Sequence, residues 1–256
     1  MAAKSQKIFS IKGDVSKEEW RLRCDLAACY RIIARMGWDD LIFTHFSMRL
    51  PGDEKAFLIN PFGVVFEQIT ASNLVKIDVH GKPLQPTPYP VNPAGFVLHS
   101  TIHEAREDAH CILHLHTPEG VAVSCQSQGL LPISQSALSV YSETGYHDYA
   151  GIVFDENERG RLLPSLGANN CLILRNHGLL TCGETIPQAF MRMYFLQRAC
   201  QSQIMAQAGG GDLAPLSKDV IDHVHGQTEQ VRGLITDLSW QAVLDRVEAS
   251  DPDYKT

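Results

Sequence analysis

The run from Cys111 to Thr117 constrains this chain most, because it has the pattern of a buried strand that carries two histidines. Its sequence is Cys-Ile-Leu-His-Leu-His-Thr, in which apolar and β-branched residues surround His114 and His116. Such a run predicts a strand inside a sheet. Alternate residues of a strand face the same side, so the two imidazoles should project together. They could bind one metal ion, or they could be core histidines that hydrogen-bond to the backbone or to water.

A third histidine, His177, follows another predicted strand. Cys171–Leu174 is a short apolar run, and the residues after it are Arg-Asn-His-Gly. Glycine lets the backbone bend, so the histidine beside it can face a cleft. Together, three histidines from two strands would form a site of the catalytic zinc type, which has three protein ligands and one open position.

The composition excludes several classes of protein. The chain has 256 residues, of which 44% are hydrophobic and 20% charged, as expected for one large globular domain or two small ones. The net charge of -7 argues against non-specific binding to nucleic acid. Seven cysteines without a Cys-x-x-Cys pair do not form a disulfide framework and favour a reducing compartment. No signal peptide or apolar span is recognisable, so we predict a cytoplasmic protein without membrane insertion.

Hydrophobic spacing and capping signals predict four main helices. The first has a capping box formed by Ser16 and Glu19, and the second has Asn92 as N-cap ahead of Pro93. The residues from 212 to 256 contain weaker helical segments, which predict a tail of short helices. The four helices are expected at 17–36, 93–106, 155–166 and 185–208.

The remaining apolar runs predict strands, and together with the helices they give a mixed α/β chain. Five prolines between positions 83 and 93 predict an extended loop, and residues 126–150 are rich in loop signals. The strands are expected at 41–50, 56–60, 74–79, 111–116, 171–174 and 180–182.

Two further histidines, His99 and His103, lie four residues apart on the second predicted helix. That spacing places them on one helical face, where zinc could also use the pair. No further ligand accompanies them in the sequence. We therefore expect one of them to pack near the metal site and the other to face solvent.

The strand with His-Leu-His and the distant Asn-His-Gly, followed by the helix after Gly183, together resemble the class II aldolase/adducin family over roughly residues 20–207. By this resemblance, His114, His116 and His177 match the metal ligands of the family. It implies a divalent metal cofactor, and three imidazoles favour Zn²⁺.

Other motifs are closer to the adducin head domain than to the sugar-phosphate aldolases. They include Asn60-Pro-Phe-Gly63, Leu131-Pro-Ile-Ser134 and Tyr146-His-Asp-Tyr149. The sugar-phosphate aldolases carry an acid/base Glu four residues before a His, and the matching position here is Gly95, which cannot carry a proton.

The positions at which those aldolases bind substrate phosphate also differ in this chain. They match His45, Phe62, Pro93 and Ala94, which offer few hydroxyl or amide donors to a dianion. The metal site is thus expected to be retained, while the acid/base Glu and the phosphate-binding residues are expected to be absent.

The resemblance also implies the architecture and the assembly. We expect a single three-layer α/β/α domain around a central, mixed and largely antiparallel sheet. Residues 1–15 would form a flexible arm and residues 16–208 the domain. Residues 209–256 would form a helical tail that packs on the domain or on a neighbouring subunit. The family implies a homo-oligomer, commonly a tetramer.

Two functions fit these observations. The first is a metal-dependent carbon–carbon lyase, of aldolase or decarboxylase type, for a small unphosphorylated hydroxy- or keto-acid. Its proton carrier would be Glu119, His147 or Tyr149. Glu119 could instead be a solvated turn residue, and Tyr149 could be a packing residue. His147 could pair with Asp148 or lie in a structural turn. The second function is a non-catalytic adducin-like interaction module, of the actin or cytoskeleton type, with a remnant metal site.

Overall fold

The computed structural model describes residues 10–52, 55–151 and 156–256, and it shows one seven-stranded sheet with helices on both faces. The strands are β1 (His45–Arg49), β2 (Phe57–Ile59), β3 (Val75–Ile77), β4 (Cys111–Leu115), β5 (Thr144–His147), β6 (Cys171–Leu174) and β7 (Gly178–Gly183). The helices are α1 (Lys17–Arg35), α2 (Pro93–Ala105), α3 (Pro118–Ser124), α4 (Gln135–Leu138), α5 (Glu156–Leu166), α6 (Ile186–Ala208) and α7 (Lys218–Ser250). Single 3-10 turns lie at Phe66–Gln68, Tyr141–Glu143 and Pro252–Lys255.

The sheet has the order β3-β2-β1-β4-β7-β6-β5, and β4 lies at its centre. Every neighbouring pair is antiparallel except β5 and β6, which are parallel. His45 on β1 pairs with His114 on β4, and Leu180 on β7 pairs with His114 from the other side. The prediction of a mixed, largely antiparallel sheet is confirmed.

The residues of β4 alternate between two cores, which produces three layers. Leu113 and Leu115 belong to the core under α1 and α6. Ile112 belongs to the core under α2 and α5. Because side chains of a strand alternate, His114 shares the face of Ile112 and points toward the layer of α2 and α5.

Helix α1 holds β1 in place beside β4. The helix begins at the predicted cap, where the Ser16 hydroxyl accepts a hydrogen bond from the Glu19 amide at 3.0 Å. The buried Tyr30 hydroxyl accepts a hydrogen bond from the Phe46 amide at 2.7 Å, and it lies 2.9 Å from the acceptor Oδ1 of Asn60. These bonds fix the start of β1, where His45 lies.

The tail differs from its prediction. Residues 218–250 form one continuous helix of 33 residues, where several short helices were predicted. Trp240, Val243 and Val247 are buried and anchor its second half, with the Trp240 ring 5.7 Å from that of Phe190 on α6. This packing outweighs the roughly 1 kcal/mol that each internal glycine costs a helix. The segment predicted as a loop also contains α4 and β5.

No helix of the described ranges is long and apolar enough to cross a membrane. The predicted arm at 1–15 is described only from residue 10 onward, so residues 1–9 lie outside the described structure. The proposed domain boundaries remain a prediction.

Candidate metal centre

The three predicted ligands converge at one end of the central strands. His114 lies near the end of β4, His116 lies just beyond it, and His177 lies in the turn between β6 and β7. One ligand nitrogen of each histidine lies within 4.8 Å of those of the other two. Within the described residues, these three nitrogens lie close enough together that they could hold a single metal ion.

The turn that carries His177 is tight, and its sequence suits it. Asn176 has a φ of +56°, a left-handed conformation that asparagine tolerates better than most residues. A Cβ at Gly178 would lie 2.4 Å from the Leu115 carbonyl oxygen, so only glycine fits there. The two residues that flank His177 therefore bring it against the end of β4.

Hydrogen bonds orient two of the imidazoles toward a common point. His114 Nδ1 donates to the Leu179 carbonyl at 2.9 Å, and His116 Nδ1 donates to the Asp40 carboxylate at 3.0 Å. With both rings neutral, each Nε2 then carries a lone pair, and these two atoms are 2.8 Å apart. Two facing lone pairs make no hydrogen bond, but they suit a shared cation, and such outer partners commonly orient metal ligands.

Electrostatics favours the neutral form of the most buried ligand. Burial, followed by the neighbouring histidines, holds the pKa of His114 well below its ordinary value. Metal-binding imidazoles must be unprotonated at the ligating nitrogen. The residues present therefore fit a divalent metal.

The three histidines open into a cavity of about 730 Å³, within the usual range for small-molecule sites. Its wall combines the imidazoles with apolar side chains and a few polar groups. Besides the three histidines it includes Asp40, Phe43, His45, Phe62, Asn92, Pro93, Leu98, Val121, Tyr149, Gly151 and Asn176.

The predicted proton carriers lie at different distances from this cavity. Tyr149 is 53% exposed and lines the cavity, with its ring 6.5 Å from that of His177. His147 is buried, and its Nδ1 lies 2.9 Å from the Ser165 hydroxyl. The Glu119 carboxylate accepts a hydrogen bond from the Gln197 amide at 2.9 Å. Of the three candidates, only Tyr149 is among the residues found to line the cavity.

Three of the four positions that the family resemblance matches to phosphate-binding residues lie at this cavity. His45, Phe62 and Pro93 line it, whereas the side chain of Ala94 lies outside what the structure describes. A Cβ at Gly95 would lie 2.7 Å from Cδ2 of His45. The His45 ring therefore fills the space that a side chain at position 95 would need.

A buried chain of hydrogen bonds runs behind His45. His45 Nδ1 lies 2.8 Å from His99 Nε2, and His99 Nδ1 lies 2.5 Å from the Ser47 hydroxyl. That hydroxyl lies 2.7 Å from His103 Nε2, and His103 Nδ1 donates to the Ala109 carbonyl at 3.0 Å. Burial is the main cause that holds the pKa of His45 and His99 well below the ordinary value and lowers that of His103 to about 3.

The expectation that one of His99 and His103 faces solvent is wrong. Both are buried, because the face of α2 that carries them packs on β1 at Ser47. Sequence reasoning also missed Asp40, which no local pattern marks. The alternation of His45 and Ser47 on a predicted strand was the available signal that these two side chains share a face.

Comparison with known proteins identifies the family. A family model described as the Class II Aldolase and Adducin N-terminal domain matches residues 24–204. The chain belongs to the class II aldolase/adducin family. The crystal structure of an aldolase II superfamily protein from Pseudomonas syringae is similar at a TM-score of 0.93 and 44% identity, and the match covers 97% of this chain and 100% of that one.

Two further relatives are an L-fuculose 1-phosphate aldolase and an adducin. L-fuculose 1-phosphate aldolase from Glaciozyma antarctica PI12 has a TM-score of 0.82 and 27% identity, covering 99% of this chain and 97% of that one. Alpha-adducin from Rattus norvegicus is 47% identical over 201 residues, which is 77% of this chain and 27% of the adducin. Class II aldolases typically depend on a divalent metal, which agrees with the three-histidine group.

Proposed function

We propose that this protein is a zinc-dependent carbon–carbon lyase, of aldolase or decarboxylase type, for a small unphosphorylated hydroxy- or keto-acid. The observation that carries the proposal is the convergence of three imidazole nitrogens within 4.8 Å at the wall of a large cavity. A catalytic zinc takes three protein ligands and leaves a position for substrate. When bound, the metal would polarise a carbonyl group and stabilise the negative charge that develops as a carbon–carbon bond breaks.

The residues have distinct roles in this proposal. His114, His116 and His177 hold the metal, and Asp40 orients His116 through its hydrogen bond to Nδ1. Tyr149 is the favoured proton carrier, because its ring lies at the same cavity as the metal ligands. His147 and Glu119 remain the second and third candidates, because neither is among the residues found to line this cavity.

The choice of an unphosphorylated substrate follows from the cavity wall. Phe62 and Pro93 present no side-chain donor there, and Pro93 has no amide hydrogen either. Phosphate recognition normally depends on several charged or hydrogen-bonding donors. Ketose 1-phosphates should therefore be poor substrates, and rapid turnover of one would contradict this part of the proposal.

The experiment is a screen of zinc-loaded protein for carbon–carbon cleavage of small hydroxy- and keto-acids, followed by comparison of two variants. Tyr149→Phe should lower the rate by about 10²–10⁴-fold with zinc retained, the usual contribution of an acid/base group. Tyr141→Phe is the matched control, because Tyr141 does not line the cavity. Equal rates in Tyr149→Phe and the wild type would remove Tyr149 as the carrier and direct the test to His147 and Glu119.

A second candidate, an adducin-like interaction module, is favoured by the 47% identity with alpha-adducin. Three converging ligands are not needed by a pure scaffold, which favours the enzyme. Co-sedimentation with actin filaments separates the two functions. Binding of metal-free protein to filaments, together with no cleavage by zinc-loaded protein across the screen, would favour the module.

The proposal includes a homo-oligomer, a tetramer by family resemblance, in the reducing cytoplasm. The free cysteines of the described chain support the compartment, since none of them pairs with another. The second half of the helical tail packs on its own domain through Trp240, Val243 and Val247. Sedimentation equilibrium measures the assembly directly, and a monomer at micromolar concentration would contradict it.

A further inference from the structure

The buried chain of hydrogen bonds that ends at His45 has a fixed direction. At its far end, His103 Nδ1 lies 3.0 Å from the Ala109 carbonyl oxygen, which can only accept. His103 Nδ1 therefore carries the proton, and its Nε2 is an acceptor as long as the ring is neutral. Full burial of this ring, with Arg49 nearby, disfavours a second proton on it.

Each following bond is then determined by the one before it. The Ser47 hydroxyl must donate to His103 Nε2, so its oxygen accepts from His99 Nδ1. His99 Nε2 is thereby left without a proton and accepts from His45 Nδ1. A carbonyl of the backbone thus specifies the tautomer of His45, which keeps its proton on Nδ1 and a lone pair on Nε2.

The position of the His45 ring places this lone pair at the cavity. The ring lies over Gly95 and its centroid is 5.0 Å from that of the metal ligand His114. His45 Nε2 has no hydrogen-bond partner among the described residues. It is also not fully buried. It is therefore accessible from the cavity that His45 lines.

We propose that His45 is a specificity-determining residue, whose unprotonated Nε2 accepts a hydrogen bond from a substrate hydroxyl group and repels a phosphate group. The inference rests on the proposed function, because it concerns the substrate of the same cavity. It narrows the substrate class to acids that carry a hydroxyl group beyond the part of the molecule bound at the three histidines. A phosphate monoester dianion has only acceptor oxygens, which would face the lone pair without a proton between them.

The tautomer can be measured without any substrate. In protein labelled with ¹⁵N at histidine, two-bond ¹H–¹⁵N correlation spectra distinguish a protonated Nδ1 from a protonated Nε2. The signals of His45 are identified by their loss in His45→Asn. We expect His45 in the Nδ1–H form at pH 8, and a protonated Nε2 at His45 would overturn the inference.

Binding to zinc-loaded protein tests the selectivity by titration calorimetry. Methyl phosphate should bind about tenfold more tightly to His45→Asn, whose side-chain amide offers a donor, than to the wild type. His80→Asn is the matched control, since His80 is exposed after β3, and it should leave the affinity unchanged. Equal affinity of the wild type and His45→Asn for methyl phosphate would overturn the repulsive part of the inference.

A second pair of probes tests the hydroxyl group. Glycerate and lactate share a 2-hydroxy acid group, and glycerate has one additional hydroxyl. The wild type should bind glycerate about threefold to tenfold more tightly, and His45→Phe should abolish this difference. A preference that survives in His45→Phe, or no preference in the wild type, would overturn the attractive part.

These readouts also separate the inference from the proposed reaction. If no carbon–carbon cleavage is found but the tautomer and both binding preferences hold, the lyase proposal fails and the role of His45 stands. If His45 carries its proton on Nε2, the role of His45 fails and the lyase proposal stands on the three histidines and Tyr149.

Discussion

The buried imidazole of His103 should make the fold sensitive to acid. Burial lowers the pKa of His103 to about 3, whereas an unfolded histidine titrates near 6.5. Between about pH 3 and pH 6.5, His103 is therefore neutral in the folded protein, whereas in the unfolded chain it takes up a proton. The stability due to His103 is fully present above pH 6.5 and is lost as the pH falls toward 3.

The size of the effect follows from the two pKa values. Within this window each pH unit costs about 1.4 kcal/mol per histidine. Lowering the pH from 7 to 5 should therefore remove about 2 kcal/mol through His103 alone, a large part of a typical stability of about 5–15 kcal/mol. His45 and His99, whose pKa values are also held low by burial, act in the same direction.

The assay is urea unfolding at pH 7, 6 and 5 in excess chelator, so that metal binding does not contribute. His103→Asn keeps a donor for the Ala109 carbonyl but does not titrate, and it should lose about 2 kcal/mol less than the wild type between pH 7 and 5. Any constant cost of the substitution cancels in this difference. His80→Asn, on the surface, should retain the wild-type dependence. The same pH dependence in His103→Asn as in the wild type would refute the reasoning.

Three further predictions concern the metal centre and its surroundings. Purified protein should hold about one zinc ion per chain, and metal analysis should show its loss in three single variants. These are His114→Ala, His116→Ala and His177→Ala. Gly95→Glu should disturb the pocket, because its Cβ would lie 2.7 Å from the His45 ring. Sugar-phosphate aldolase activity should therefore be assayed in the double variant Gly95→Glu/His45→Ala. Activity in the single variant Gly95→Glu would contradict this packing. Ser47→Ala should lower the free energy of unfolding, measured by urea titration, by about 2–4 kcal/mol, because it leaves two buried ring nitrogens unpaired. Ser139→Ala is the control, because the Ser139 hydroxyl donates to the Gln135 carbonyl in the preceding helical turn, and this variant should cost less than about 1 kcal/mol.

The sequence by itself determined the features that depend on local periodicity. Alternation along a strand was enough to place His114 and His116 on one face, and the structure agrees. The Ser16 cap and the start of α2 at Pro93 followed from the preferences of residues near a helix end. The position of His177 at the end of a predicted strand, beside Gly178, added the third histidine, and the family resemblance added the mixed, largely antiparallel sheet.

Only the tertiary structure decided which distant residues complete the centre. Asp40 reaches His116 across 76 positions, and His45 lies over Gly95, although neither pair has a spacing that a local pattern could reveal. The same holds for His103, whose helical position gave no sign that β1 would bury it beside Ser47. Local pattern fixes the direction of a side chain relative to its own strand or helix, whereas the partner it meets depends on how the whole sheet and its helices close around the core.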